Sequence, residues 1–347
     1  MKRLISLIVC IAILIFTFTG CQNGDMTTLM EREGKIKIGI VAYNETDDIK
    51  NAKNGFMQGL KDLGIDSKIQ TEYKNAKGDT KVLHQICNSI FDENDMVVTF
   101  GEEAARVAKI ERKDATKPIF FVGVDNPVTS SLMSNTITPS NNITGVMSKV
   151  TPDCIFSFAA EKIGGQLRKV GIIYNTSEIN PAYEINELKD YLNSNGIEYF
   201  EGIIANGFDA QQSAMKIASI KIPSSEGDGK MVNPKTVFVI SNDGISKKTL
   251  PSIAPIVKNV GAVAFVLGEA ELPNSRFYSI LPDYEVMGQQ CTNLINEYIN
   301  GVDVIAISAE SSEGYMLKEF EGEEDDEVLE ETSEIQTETL ENTNIEQ

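Results

Sequence analysis

Residues 174–181 read YNTSEINP, and five of the six residues at 175–180 are polar. Hydroxyls and amides bind ligand oxygens, and carboxylates hold ammonium groups. Five other clusters of the same kind follow apolar runs: Tyr43, Asn44 and Glu45; Gly101, Glu102 and Glu103; Asp125, Asn126 and Pro127; Asn242 with Asp243; and Gly268 with Glu269. Each cluster also has a plainer use. Asn, Asp, Ser and Thr before a helix cap its free N–H groups, for about 1 kcal/mol each. YNTSEINP carries more polar groups than one cap consumes.

Catalytic chemistry finds little support. His84 stands alone in a helical run and away from any strand end. No Gly-x-Ser-x-Gly elbow, Gly-rich phosphate loop or His-based metal motif appears, so no cofactor is expected. Glu102, Glu103 and Glu178 are the carboxylates that glycoside chemistry would use, but nothing in the sequence sets their separation.

Alternating elements must position these clusters. Apolar runs at 36–43, 67–72, 95–100, 118–124 and 142–146 read as strands, and 48–63, 79–91 and 102–112 as helices. The pattern restarts with helices at 152–163, 182–193, 209–220 and 246–259, and strands at 169–174, 198–204, 236–241 and 262–267. A strand at 276–281, a helix at 285–299 and an edge strand at 303–307 close the series. Residues 221–235 read as a surface insertion. This is an α/β protein of two doubly wound, Rossmann-like lobes with a ligand cleft between them. The expected division is lobe one at 35–147 plus 277–318 and lobe two at 148–276. In such sheets ligands bind beyond the carboxyl ends of the strands, where all six clusters lie.

The chain has 347 residues and a formal net charge of −20. Thirteen acidic residues and no Lys or Arg fall in 319–347, so the rest of the chain carries only −7. That acidic tail is too polar to offset its ordering entropy and reads as disordered. No basic patch exists to neutralise phosphates, which argues against a nucleic-acid partner. Cys87, Cys154 and Cys291 are far apart and lack metal spacing, and read as buried or part-buried thiols.

At the N-terminus, Lys2 and Arg3 precede an apolar run at 4–18. As a helix it would reach about 22 Å, short of a hydrocarbon core of roughly 30 Å. This is the form of a secretory signal. Phe18-Thr19-Gly20-Cys21 resembles the lipobox of bacterial lipoproteins, with Phe18 in place of the usual Leu. The resemblance implies a signal at 1–20, acylation with palmitate-like chains at Cys21, and a polar tether at 21–34 that holds the protein on the extracytoplasmic membrane face.

The stretches GIVAYNETDDIKNAKNGFMQGLKDLG, YKNAKGD, VDNPVTSSL, NNITGV and GIIYNTSEINPAYEINELKDYL, in that order, resemble the substrate-binding lipoproteins of ABC importers. Within these, the chain is similar to the tryptophan and tyrosine group over about residues 36–300. The resemblance implies a periplasmic-binding-protein type I fold with three crossings between lobes, no catalysis, a small-molecule solute, and permease and ATPase partners. By position it implies ligand loops at Tyr43, Asn44, Glu45, Gly101, Glu102, Asp125, Asn126, Thr176, Ser177, Glu178, Asn242, Asp243 and Glu269. Ser177 and the N–H groups behind Thr176 would bind ligand oxygens. Asp243, Glu178 or Glu269 would pair with an ammonium, and Asn44 and Asn242 would set orientation. Stacking would fall to Tyr43, Tyr174 or a Phe. Glu102-Glu103 and Asp125-Asn126-Pro127 stand where the family often has Thr-Pro and Thr-Asp-Pro. Carboxylates in place of hydroxyls suit a ligand with an amine and little anionic character, or weaken a site for a free amino acid; the expected solute is an amino acid or related amine. Two further readings remain open: a receptor that feeds a membrane sensor, and an exported carboxylate-dependent hydrolase.

Overall fold

The computed structural model describes residues 28–164 and 166–322. In the first lobe β1 (Ile36–Ala42), β2 (Ile69–Asn75), β3 (Met96–Phe100), β4 (Ile119–Val124) and β5 (Ile143–Met147) form a parallel sheet in the order 5-4-3-1-2. Helices α1 (Asp47–Asp62), α2 (Thr80–Glu93) and α3 (Glu102–Glu111) join them. β3 and β5 are buried at every position. Continuous apolar burial of this kind is what a parallel sheet covered on both faces demands.

The second lobe begins with α4 (Pro152–Ile163), β6 (Lys169–Tyr174), α5 (Ile179–Ser194), β7 (Glu198–Ile203) and α6 (Gly207–Ser219). The 221–235 insertion folds as an antiparallel ribbon of β8 (Ile222–Pro223) and β9 (Met231–Val232). Its Asn233 accepts a hydrogen bond from the buried Lys169 Nζ at 2.5 Å, and Ile220 O accepts another at 2.9 Å. There follow β10 (Val237–Ile240), α7 (Gly244–Lys248), α8 (Leu250–Asn259), β11 (Val263–Leu267) and β12 (Phe277–Pro282). The single helix expected at 246–259 is thus two, divided at Thr249, with Pro251 in the first turn of α8.

The chain then returns to the first lobe as α9 (Tyr284–Ile299), which packs closely on α1. The contact depends on glycine. A Cβ on Gly55 would lie 1.9 Å from Glu285 O, and one on Gly288 would lie 2.1 Å from Ala52 O. β13 (Glu310–Ser311) adds to the edge of the first sheet beside β5, and β14 (Tyr315–Lys318) pairs antiparallel with β12 in the second.

Two expectations need correction. The 277–282 strand was expected in lobe one, but β12 is hydrogen-bonded between β11 and β14. The reason is apolar: Phe277 and Ile280 are buried in the two cores of the second lobe. The edge strand expected at 303–307 is a single 3₁₀ turn, Val304–Ala306, capped by the Asp303 side chain, and β13 supplies the edge instead. The chain therefore crosses between lobes three times, at 148–151, at Asp283 and at 312–314. These crossings are tied together: Asp283 N–H donates to Gly314 O at 2.9 Å, and the Tyr315 hydroxyl donates to Lys149 O at 3.2 Å. The expected acylation site Cys21, the signal expected at 1–20 and most of the acidic tail lie outside the described residues.

Candidate functional site

A cavity of about 450 Å³ lies between the lobes. Asp48, Asp125 and Tyr284 line it from the first lobe, Ser148 and Val150 from the crossing, and Glu184, Asn242, Lys247 and Glu269 from the second lobe. Leu267, Leu281, Pro282 and Met316 supply an apolar wall. The volume suits a small organic molecule.

Local structure explains how each polar group reaches the cavity. Thr46 caps α1 through Ile49 N–H, which leaves Asp48 in the first turn and facing the gap. Asp283 caps α9 by accepting from Glu285 and Val286 N–H at 3.0 and 3.2 Å, so the helix opens with Tyr284 in the cavity. Asp125 follows β4 directly and accepts from the Ser148 hydroxyl at 2.5 Å. Lys247 Nζ donates to Asn242 Oδ1 at 2.8 Å and to Glu269 O at 3.3 Å. Glu269 also pairs with Lys318 at 2.5 Å.

Glu184 sits on α5 and is half-buried as a residue, but its Oε2 is buried and has no hydrogen-bond partner among the described residues. Burial, and then the charges of Asp125 and Glu187, push its carboxyl up to about 8, against a weaker opposing pull from Lys149. Burial raises Asp48 as well, followed by repulsion from Glu269 and Asp47. Burial lifts the Tyr284 phenol to about 12, with Asp48 and Asp125 adding to the shift. The four carboxylates do not converge on one point: no group of three or more metal-type ligands occurs among the described residues. Charge repulsion acts between lobes, on Glu184 from Asp125 and on Asp48 from Glu269, in each case after burial.

Of the thirteen residues expected in the ligand loops, the cavity brings together Asp125, Asn242 and Glu269. The others are placed elsewhere or engaged. The Tyr43 hydroxyl donates to Gly78 O at 2.6 Å, Asn44 is exposed, and Glu45 pairs with Lys53 at 3.3 Å. Gly101 caps α3 with φ of 87°, a value that favours glycine, and Glu102 opens the helix. Asn126 Oδ1 accepts from Val128 and Thr129 N–H and closes a turn. Thr176 and Ser177 are exposed and do not line the cavity.

The YNTSEINP junction mainly stitches neighbouring loops of its own lobe. Asn175 donates through Nδ2 to Ile204 O at 2.6 Å and accepts from Ser177 N–H at 2.8 Å. Glu178 accepts from Gly244 N–H at 2.9 Å. Asp243 is fully buried: it accepts from Asn175 N–H at 3.0 Å, and from Ser246 N–H and hydroxyl, each at 2.6 Å. The expected pairing of Asp243 with an ammonium is corrected accordingly, because its oxygens are consumed in capping α7. Glu103 pairs with Arg106, and His84 Nδ1 lies 2.7 Å from Glu111. Neither lines the cavity.

Sequence reasoning passed over Tyr284, Glu184, Asp48 and Lys247. Tyr284 had a signal, since it stands at a seventh strand-to-helix junction, after Leu281-Pro282-Asp283. Glu184 had none. It is one of several acids inside a helix, and only the packing of the lobes sets it opposite Asp125.

A model of the ABC transporter substrate binding protein family matches residues 37–263. The chain belongs to this family. The chain is similar to a tyrosine-binding protein of Clostridioides difficile (strain R20291): the two are 23% identical over 312 residues, which cover 87% of this chain and 86% of the relative. Among solved structures, the substrate-binding protein is similar to a ligand-free, open substrate binding protein with adhesive properties from Clostridium difficile. The TM-score is 0.62 at 19% identity, with 84% of this chain and 97% of the other covered. The fold is that of the type I periplasmic binding proteins, with two parallel-sheet lobes and three crossings.

Proposed function

We propose that the protein is an extracytoplasmic, lipid-anchored receptor that captures a small solute bearing an amine, an amino acid or related amine, and delivers it to the permease and ATPase of an ABC importer. One observation carries the choice of solute: four carboxylates and one lysine line the cleft. That surplus favours a ligand with a positive group and penalises a purely anionic one. The apolar wall of Leu267, Leu281 and Met316 would take the ligand's side chain, and Asn242 with Lys247 offers donors for a ligand oxygen. The tyrosine-binding relative supports the amino-acid class. The three crossings between lobes are few enough for hinge closure around the ligand. Acylation at Cys21 would hold the protein at the membrane, since each buried methylene contributes about 0.8 kcal/mol.

Thermal shift of the purified protein against the twenty amino acids, tyramine, tryptamine and 1,4-diaminobutane tests the solute class. A ligand at a hundred times its Kd stabilises by about 2.7 kcal/mol, which a melting curve registers clearly. Stabilisation by amine-bearing compounds is expected, and a flat response across the whole panel would overturn the reading.

A further inference from the structure

We propose that Asp125 and Glu184, one from each lobe, form the seat for the ligand's ammonium group, and that capture exchanges a proton held by Glu184 for that ammonium. The inference rests on the amine-receptor reading and assigns its charged contact.

Four observations converge on this pair. First, both residues line the cavity and come from opposite lobes, so a cation between them touches both halves of the clamshell. Second, Glu184 Oε2 is buried without a hydrogen-bond partner among the described residues, an arrangement that is costly unless something meets it. Third, among the described residues Asp125 is held by a single donor, the Ser148 hydroxyl, which leaves acceptor capacity toward the gap. Fourth, the other acids expected to take this role are engaged. Asp243 is consumed by Asn175 and Ser246, Glu178 by Gly244, and Glu269 by Lys318.

The charge balance around Glu184 supports the proton exchange. The charged groups facing it are Asp125 from the loop after β4, Glu187 from its own helix, and Lys149 from the crossing. Lys149 is bound to Glu187 at 2.9 and 3.0 Å, so that pair cancels and Asp125 remains as the net neighbour. Burial disfavours the ionised form of Glu184 first and the Asp125 charge adds to it, which raises the carboxyl to about 8 and keeps its proton at neutral pH. An ammonium placed between them restores the ionised form. The Glu184 proton leaves to the buffer, and the pair becomes two carboxylates around one cation. The cation then attracts a carboxylate from each lobe, so the ammonium latches the lobes.

Titration calorimetry on the purified protein at pH 7, in buffers of different ionisation heat, tests the seat. The probes are L-tyrosine, tyramine, 1,4-diaminobutane and 3-(4-hydroxyphenyl)propionate. The expected result is binding of at least one amine, release of close to one proton per ligand, and no binding of the propionate. Glu184→Gln should weaken the amine about 10- to 100-fold and abolish the proton release, and Asp125→Asn should weaken it similarly. Unchanged amine affinity in both variants, or equal binding of the propionate, would overturn the seat while leaving the receptor reading intact. If none of the amines binds, the receptor reading falls and takes the seat with it.

Discussion

Asp125 and Asp243 follow strands of the two lobes at matching ends of their sheets, and the structure uses them in opposite ways. Asp243 is sealed in the second lobe with three donors around it. Asp125 accepts from one hydroxyl and otherwise faces the cleft. The same residue type at the same kind of junction is thus a brace in one lobe and a free carboxylate in the other. A polar residue after a strand is a candidate for binding only once its local hydrogen bonds are counted.

The largest expected effect separates the two aspartates by stability. Asp243→Ala removes the cap of α7 and strands the Asn175 N–H and the Ser246 hydroxyl, for a cost of roughly 3 kcal/mol. Asp125→Ala should cost less than about 1 kcal/mol, since its one partner, Ser148, lines the cavity and can turn to water. Urea unfolding of the two variants measures both. Equal losses would break the comparison.

The next effect sharpens the part played by Asp125. In the folded protein Glu184 titrates near 8, above its unfolded value of about 4.3. The native state therefore binds the extra proton between those limits. The resulting stability is fully present below about pH 4.3 and declines as pH rises through 8, by at most about 1.4 kcal/mol per pH unit. Melting curves of the ligand-free protein from pH 5 to 8 should show that decline, Glu184→Gln should flatten it, and Asp125→Ala should reduce it. A wild-type slope that survives in Glu184→Gln would point to another group.

The smallest effect concerns the first junction of the chain. Glu45 meets only Lys53 at 3.3 Å, with nearly half of its side chain exposed. Glu45→Ala should change stability by less than about 0.5 kcal/mol and leave ligand affinity untouched. A marked loss of affinity would return that junction to the site and weaken the contrast between engaged and free carboxylates.

Much of the architecture was legible in the sequence. The strands showed as apolar runs, and they are buried almost throughout, as in β3, β5 and β11. The helices expected at 48–63, 79–91 and 285–299 are α1, α2 and α9, and the structure shows Thr46, Asp79 and Asp283 capping them. The misplacement of β12 marks a limit of that reading. An apolar run says that a strand is buried, and nothing in the run FYSILP says under which sheet. Its partner strands are what settle the lobe. The lining of the cavity was legible only in part. Of the residues named from the six junctions, Asp125, Asn242, Gly268 and Glu269 line it, and the rest lie elsewhere or are engaged.

The sequence by itself determined the two alternating halves, the capping chemistry and the acidic character of the chain, because burial pattern and capping are local properties of neighbouring residues. Tertiary structure alone decided which carboxylates stay free. Asp243 is occupied by the backbone of Asn175, 68 residues away, and Glu184 and Asp125 line one cavity only because the two lobes face each other. Hydrogen bonds and charges act through space, and the order of residues along the chain does not encode those distances.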